Sequence, residues 1–249
     1  MRIDSAGWTH VGRRAHNEDA WTARADLGLF VVADGMGGYE GGEVASHCVV
    51  EAFSSFCERL AQDAEATWPN TPRPGLSREE DLLLNCTLLA QRALLARRVG
   101  HLRDMGSTVV ALTLGARGAA VAHVGDSRLY RLREGQLETL TRDHSVIEEM
   151  RAAGRQVPER RESPFGHIIT RALGTENAEP TVQWLDVREG DVYLLCSDGL
   201  YEPLGPQRLS AVLGGQQSAP ELAERLVQEA YEAGGKDNIT ALVVGVGAR

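Results

Sequence analysis

Four hydrophobic stretches of the chain each abut an aspartate, and this recurrence limits the fold more than any other feature. Asp34 follows FVVA, Asp126 follows AAVAHVG, Asp198 follows VYLLCS, and Asp237 immediately precedes NITALVV. A single Asp-Gly after a strand is among the commonest turns, and VVADGMGG read alone would need no other account. Four such sites raise a different question. Packing strands side by side brings their ends together, so the carboxylates would converge on one edge of the core, where their repulsion is costly unless cations neutralise it. All-oxygen clusters of this kind suit hard divalent ions such as Mg²⁺ or Mn²⁺; the alternative is a coincidence of turns. Gly35, with no Cβ, allows a sharp bend that presents its carbonyl to an ion already held by Asp34.

The charge balance excludes several other functions. With a formal net charge of −9, the chain lacks the basic surface that nucleic acid or an anionic membrane requires. Of 26 basic residues only Lys236 is a lysine, and it lies in GGKDN. Walker-type nucleotide hydrolases and protein kinases each need a lysine in a particular loop or strand, and none is available here. Cys48, Cys57, Cys86 and Cys196 form no Cys-x-x-Cys pair, so neither a disulfide framework nor a zinc ribbon is indicated. No apolar run approaches the roughly 18 residues of a membrane span, and MRIDSAGWTHVGRRAHNED has no hydrophobic segment of the signal-peptide kind. A cytoplasmic monomer is expected.

The hydrophobic periodicity predicts a helix over EGGEVASHCVVEAFSSFCERL, with Val44, Cys48, Val49, Ala52, Phe53, Phe56 and Leu60 on one face. A second helix begins at Ser77, where Ser77 and Glu80 have capping-box spacing ahead of the leucine-rich DLLLNCTLLAQRALLARR. After these helices the pattern changes to short β-rich runs, STVVALTLG, AAVAHVG, SRLYRLR and GQLETL, as in an antiparallel meander. Residues 145–154 read as a short helix, and GRQVPERRESPFGH after it as a flexible flap, placed at about 145–170 overall. Strands resume at TVQWLDV and DVYLLCSD, a helix spans PELAERLVQEAYEA, and NITALVVGV is the last strand. With no linker or internal repeat, residues 1–249 are expected to form one domain of stacked sheets flanked by helices.

GRRAHNEDAW adds Glu18 and Asp19, with Arg14 four residues before Glu18; alone, it reads as a solvated charged loop. In order, RRAHNEDA, VADGMGG, GSTVVAL, VGDSRLY, TRDHS, ITRALG, CSDGL and GKDNITALVV span residues 7 to 246. Together they closely resemble the metal-dependent protein phosphatases, the protein phosphatase 2C family, in their compact bacterial form. The resemblance implies an α+β fold: a central β-sandwich of two antiparallel sheets flanked by helix pairs, with a binuclear Mn²⁺ or Mg²⁺ centre at one end.

Residue by residue, the resemblance implies that Asp34 bridges the two metals, Asp198 and Asp237 complete the first, and the Gly35 carbonyl serves the second. Glu18 and Asp19 would act through metal-bound waters, Asp126 would share a third, weaker ion with Asp198, and Arg14 would grip the substrate phosphate. The implied reaction is hydrolysis of phosphoserine and phosphothreonine in proteins, by in-line attack of a hydroxide shared by the two ions. Arginine suits phosphate because its planar fork donates two parallel hydrogen bonds, which lysine cannot do. Phosphoproteins made by a cognate kinase are the implied partners, with type VI secretion control as one setting.

Two features need separate treatment. CTLLAQR, from Cys86 to Arg92, has the Cys-x5-Arg spacing of cysteine-dependent phosphatases, but it lacks a glycine-containing phosphate cradle and lies in a leucine-rich helix. Met36 stands where eukaryotic relatives carry a histidine, which removes one general acid and leaves His144 or a metal-bound water as alternatives. His123, within a strand, and His47, within a helix, read as structural, and His167 adjoins the flap without showing a chemical role. A phosphoprotein-binding module without turnover and a metal-dependent nuclease are the rival readings. The complete acidic set argues against the first and the net charge against the second.

Overall fold

In the computed structural model, which describes residues 2–38, 40–63, 65–116, 118–158, 160 and 163–247, side chains alternate along the strand β3 (Leu29–Met36). Leu29, Val31 and Ala33 enter one cluster with Phe53, Phe56, Leu83 and Leu94. Phe30 and Val32 enter another with Val110, Leu112, Tyr193, Leu195 and Val244. Successive residues of a strand face opposite ways, so an unbroken hydrophobic run must be covered on both sides. One side of β3 is covered by helices and the other by a second sheet.

The sheet containing β3 has the order β2-β3-β5-β6-β9, with β2 (Asp19–Arg24), β5 (Val109–Leu114), β6 (Ala119–Val124) and β9 (Thr181–Leu185), while the short β4 (Gly106–Ser107) pairs with β3. The opposing sheet has the order β1-β11-β10-β7-β8, with β1 (Arg2–His10), β7 (Arg128–Arg133), β8 (Gln136–Thr139), β10 (Val192–Cys196) and β11 (Ile239–Gly247). The pairings are antiparallel, as the meander pattern predicts. The helices α1 (Gly41–Gln62) and α2 (Arg78–Arg97) cover the first sheet. The second is covered by α4 (Asp198–Leu213) and α5 (Ala219–Glu232). These four layers are the α+β sandwich implied by the resemblance.

Local chemistry fixes the helix starts. The Ser77 hydroxyl accepts from the Glu80 amide at 3.2 Å while Glu80 Oε2 accepts from the Ser77 amide at 2.8 Å, the reciprocal box expected at the head of α2. Three elements depart from expectation. The sheet does not simply follow the helices, because β1 to β3 precede α1. The polar strand β1 was unread, since its burial against β11 is only partial. The helix α4 was also unread: Pro203 and Pro206 lie inside it, and Gly205 breaks it at φ 69°. Prolines and a left-handed glycine conceal two short helical pieces as a loop. The expected short helix is α3 (Val146–Ala152), and the flap is pinned at its root by a bridge between Ser145 and Ile169.

Candidate metal centre

Strand directions bring the acids together. Both β3 and β6 run antiparallel to β5, so they point the same way, and β11 begins where its antiparallel neighbour β10 ends. Asp34 lies near the end of β3, Asp126 just beyond β6, Asp198 just beyond β10 and Asp237 just before β11. Asp19 opens β2 directly opposite Asp34. Its Oδ2 accepts hydrogen bonds from Ser197 Oγ at 2.7 Å and Thr240 Oγ1 at 2.6 Å, joining the matching ends of the two sheets. The product is a cleft of about 890 Å³, lined by Arg14, Glu18, Asp34, Gly35, Asp126, Asp198 and Asp237 among others. Every site residue expected from the sequence lines it except Asp19, which lies buried beneath.

Burial and mutual repulsion act together on the acids of the cluster. Burial, then repulsion from Asp19, Asp198, Asp126 and Asp237, holds the Asp34 carboxyl well above the usual carboxylate range. Asp198 is raised in the same way, by burial and then by Asp126. Asp19 Oδ1 is buried with no hydrogen-bond partner. A set of carboxylate oxygens with an unpartnered buried oxygen beneath it fits hard divalent cations. The glycines fit the same picture. A Cβ on Gly35 would lie 1.9 Å from the Gly42 carbonyl oxygen, and one on Gly42 would lie 2.3 Å from Glu18 Oε1, so the loop and the start of α1 can close on Glu18 only without side chains. The Glu18 backbone is held as well, its carbonyl accepting from Gly35 at 3.0 Å and its amide donating to Asn238 Oδ1 at 2.8 Å.

Two arginines bracket the cluster. Arg14, more than half exposed, donates through Nη2 to Asp237 Oδ2 at 2.8 Å at the mouth. At the opposite side Arg160, from the flap, reaches Asp126, Asp198, Glu202 and Asp143. Sequence reading missed Arg160, Glu202 and Asp143 as parts of the site. Glu202 lies one turn after Asp198 on α4, so recognition of that helix would have placed it beside the cluster. Asp143 is tied to Arg128 by two bonds of 2.8 Å. It lies in the TRDHS motif, directly before His144.

His144 does not reach the cleft. Its ring stacks on His123 with centroids 4.6 Å apart, Nδ1 accepts from the Gly125 amide at 3.2 Å, and Nε2 pairs with Thr181 Oγ1 at 2.9 Å. It lines a separate cavity of about 400 Å³ behind the cluster. Burial, with His123 adding to it, pushes its pKa down to about 3, so the ring is neutral and in use as a strut. His144 is therefore withdrawn as a candidate general acid. Met36 does line the cleft. Cys86 is buried within α2 and Arg92 is exposed on the same helix, so the Cys-x5-Arg spacing builds no phosphate cradle.

Comparison with known proteins agrees with this geometry. The protein phosphatase 2C family model matches residues 6–236. The serine/threonine protein phosphatase PstP of Mycobacterium tuberculosis is 37% identical over 242 residues, covering 94% of this chain and 43% of that protein. The chain thus spans less than half of that relative's length. Stp of Listeria monocytogenes is 34% identical over 245 residues, covering 95% of this chain and 93% of that protein. The PstP catalytic domain in complex with 2 manganese ions superposes with a TM-score of 0.83 at 33% identity, covering 99% of each chain. PppA, a key regulatory component of T6SS in Pseudomonas aeruginosa, gives 0.80 at 34% identity, covering 98% of each chain. With the acidic cluster at the shared end of two antiparallel sheets and a family match over most of its length, the chain belongs to the protein phosphatase 2C family.

Proposed function

We propose that the chain is a Mn²⁺- or Mg²⁺-dependent phosphatase acting on phosphoserine and phosphothreonine in proteins, with residues 1–249 as one catalytic domain and the flap at about 145–170. The observation that carries this reading is the meeting of Glu18, Asp34, Asp126, Asp198 and Asp237 in one cleft with Arg14 at its mouth. Asp34, Asp198, Asp237 and the Gly35 carbonyl are the proposed ligands of two ions, with Asp126 and Asp198 serving a third. When bound, the ions supply the Lewis acidity that activates water and offsets charge on the phosphoryl oxygens.

The protein's own groups prepare for that chemistry. Asp19, clasped by Ser197 and Thr240, fixes β2 against β10 and β11 and so sets Asp34 against the neighbouring sheet. Glu18 holds the Gly35 turn through its backbone. The Arg14 guanidinium contacts Asp237 through one nitrogen, and its other side-chain donors have no hydrogen-bond partner among the described residues. A guanidinium so placed can turn its fork to an incoming phosphate while remaining near the acids. No general-acid side chain stands at Met36 and His144 lies outside the cleft, which leaves His167, a cleft-lining residue, and water as the groups placed to protonate the leaving serine or threonine oxygen.

The proposed partners are cytoplasmic phosphoproteins made by a cognate kinase, met by a monomer of this chain. The likeness to PppA makes type VI secretion a setting worth testing. The deciding assay is phosphate release from a phosphothreonine peptide with Mn²⁺, with chelator, and beside a DNA-cleavage control. Mn²⁺-dependent release without DNA cleavage supports the reading. Peptide binding without release would instead favour a non-catalytic module.

A further inference from the structure

Two of the four cysteines meet across the first helix layer. Cys57 on α1 and Cys86 on α2 are 29 positions apart in sequence, yet their sulfurs lie 3.9 Å from one another, in hydrogen-bonding contact. The pair lies in the apolar cluster beneath these helices and shares no residue with the acidic cleft. The two thiols are not equivalent. Cys57 is 6% exposed, whereas Cys86 is fully buried. The connection between the helices is fastened beside Cys86, where Asn85 Oδ1 accepts from the Asn70 amide at 3.0 Å. Hydrogen bonding from Cys86 brings the Cys57 thiol below its ordinary value against the opposing effect of burial, and the Arg24 guanidinium adds to the lowering. Burial, then the same contact, holds Cys86 well above its own. Neither of the other cysteines competes for the pairing, since Cys48 lies more than two turns earlier on α1 and Cys196 belongs to the cluster beneath α4 and α5.

We propose that Cys57 and Cys86 form a reversible disulfide on exposure to a hydroperoxide, a covalent clamp that fastens α1 to α2. The exposed partner reacts first. The Cys57 thiolate attacks one peroxide oxygen and the O–O bond breaks; with hydrogen peroxide, the departing hydroxide takes up the proton that Cys57 gave to solvent and leaves as water. Cys57 is now a sulfenic acid, oxidised by two electrons. The Cys86 sulfur then attacks the Cys57 sulfur, the S–O bond breaks, and the hydroxyl leaves with the Cys86 proton as a second water. Two thiols and one peroxide thus give one disulfide and two waters. Closing the bond to about 2.0 Å brings the sulfurs about 2 Å nearer, a movement within the arc that rotation about the two Cα–Cβ bonds provides. Because the bond closes a loop that contains the whole connection between the helices, it restricts the unfolded chain and so stabilises the layer.

The test treats the folded full chain with hydrogen peroxide, quenches with catalase, alkylates free thiols in urea and maps the tryptic peptides by mass spectrometry. Wild type should lose two hydrogens and yield a Cys57–Cys86 cross-link, with Cys48 and Cys196 alkylated, and dithiothreitol should reverse the change. The oxidised protein should melt about 5–10 °C above the reduced one, and the rise should be absent from Cys57→Ser and Cys86→Ser. The two variants separate the roles. In Cys86→Ser the Cys57 sulfenic acid has no resolving thiol, so dimedone should trap it and longer exposure should carry it to the sulfinic acid. In Cys57→Ser the buried Cys86 should remain unmodified.

Full alkylation of both thiols after peroxide treatment overturns the proposal, as does a cross-link that forms only when urea is present during the oxidation. Equal dimedone trapping of Cys57 in wild type and in Cys86→Ser also overturns it, since Cys86 would then resolve nothing. If the variants do not fold, wild type decides alone: a cross-link with a raised Tm supports the clamp, and a cross-link that leaves Tm unchanged or lowers it overturns it.

Discussion

The buried carboxyl of Asp19 allows a test of whether the acidic end of the sandwich is held against its own electrostatics. Burial pushes this group up from 3.8 to about 6, with Asp237 and Glu18 adding repulsion and the hydroxyls of Thr240 and Ser197 opposing it. A rise from 3.8 to about 6 corresponds to roughly 3 kcal/mol of preference for the protonated form. Because the folded-state pKa is raised, this contribution is fully present below the unfolded value and is lost as pH rises through about 6. Asp19→Asn removes the charge while keeping an oxygen able to accept both hydroxyl bonds. Its amide nitrogen then occupies the place of the unpartnered Oδ1, at a cost of about 1–3 kcal/mol that does not vary with pH.

The stability difference between Asp19→Asn and wild type, both metal-stripped, should therefore move in the variant's favour by roughly 2–3 kcal/mol between about pH 4 and about pH 7.5. Asp34 is raised partly by the Asp19 charge, so relief at Asp34 adds in the same direction. Urea unfolding followed by circular dichroism at several pH values measures the difference. With saturating Mn²⁺ the order should turn against the variant, because bound cations favour the charged carboxylate. A difference that stays constant across the pH range in metal-stripped protein would refute the reasoning.

Four further outcomes are expected at and around the site. Phosphatase activity should vanish on chelation and return with Mn²⁺, and Asp34→Ala, Asp198→Ala or Asp237→Ala should lower turnover by about a thousandfold or more without loss of the circular-dichroism signal of the fold. Arg14→Ala should lower kcat/KM for a phosphopeptide by roughly 10- to 100-fold while the two tight ions remain countable by metal analysis, and Arg14→Lys should recover only part of that loss. Met36→His should flatten the dependence of kcat/KM on leaving-group pKa across a series of aryl and alkyl phosphates, helping phosphoserine more than nitrophenyl phosphate. His144→Gln should leave that slope unchanged while lowering the melting temperature, because His144 braces Gly125 and Thr181 outside the cleft.

Much of the fold was legible because its signals are local. The Ser77 and Glu80 box, the apolar stripe of α1 and the hydrophobic β-rich runs of β5, β6 and β7 are each contained in one short stretch of chain. The strand-end aspartates were legible for a related reason: each is joined covalently to a hydrophobic strand, so its destination is set once the strands pair. The N-terminal strand β1 and the helix α4 were not legible. As an edge strand paired only with β11, β1 is half-buried and has no clear hydrophobic pattern, and Pro203, Gly205 and Pro206 obey the rules for loops while the chain on either side is helical.

Arg14 was legible through its motif, whereas Arg160 lay beyond sequence reading for a physical reason. A carboxylate at the end of a buried strand is placed by the core, and the hydrophobic residues on both faces of β3, β6 and β10 offset the repulsion at their ends. Arg160 has no such carrier. It lies in a stretch without periodicity, and ion pairs with Asp126, Asp143, Asp198 and Glu202, all distant in sequence, hold it in the cluster. A residue placed by packing is encoded by its immediate neighbours in sequence, whereas one placed by charge is encoded by acids 34, 38 and 42 positions away. The second kind of placement is also the more easily undone, since whatever neutralises those acids removes the reason for the arginine to be there.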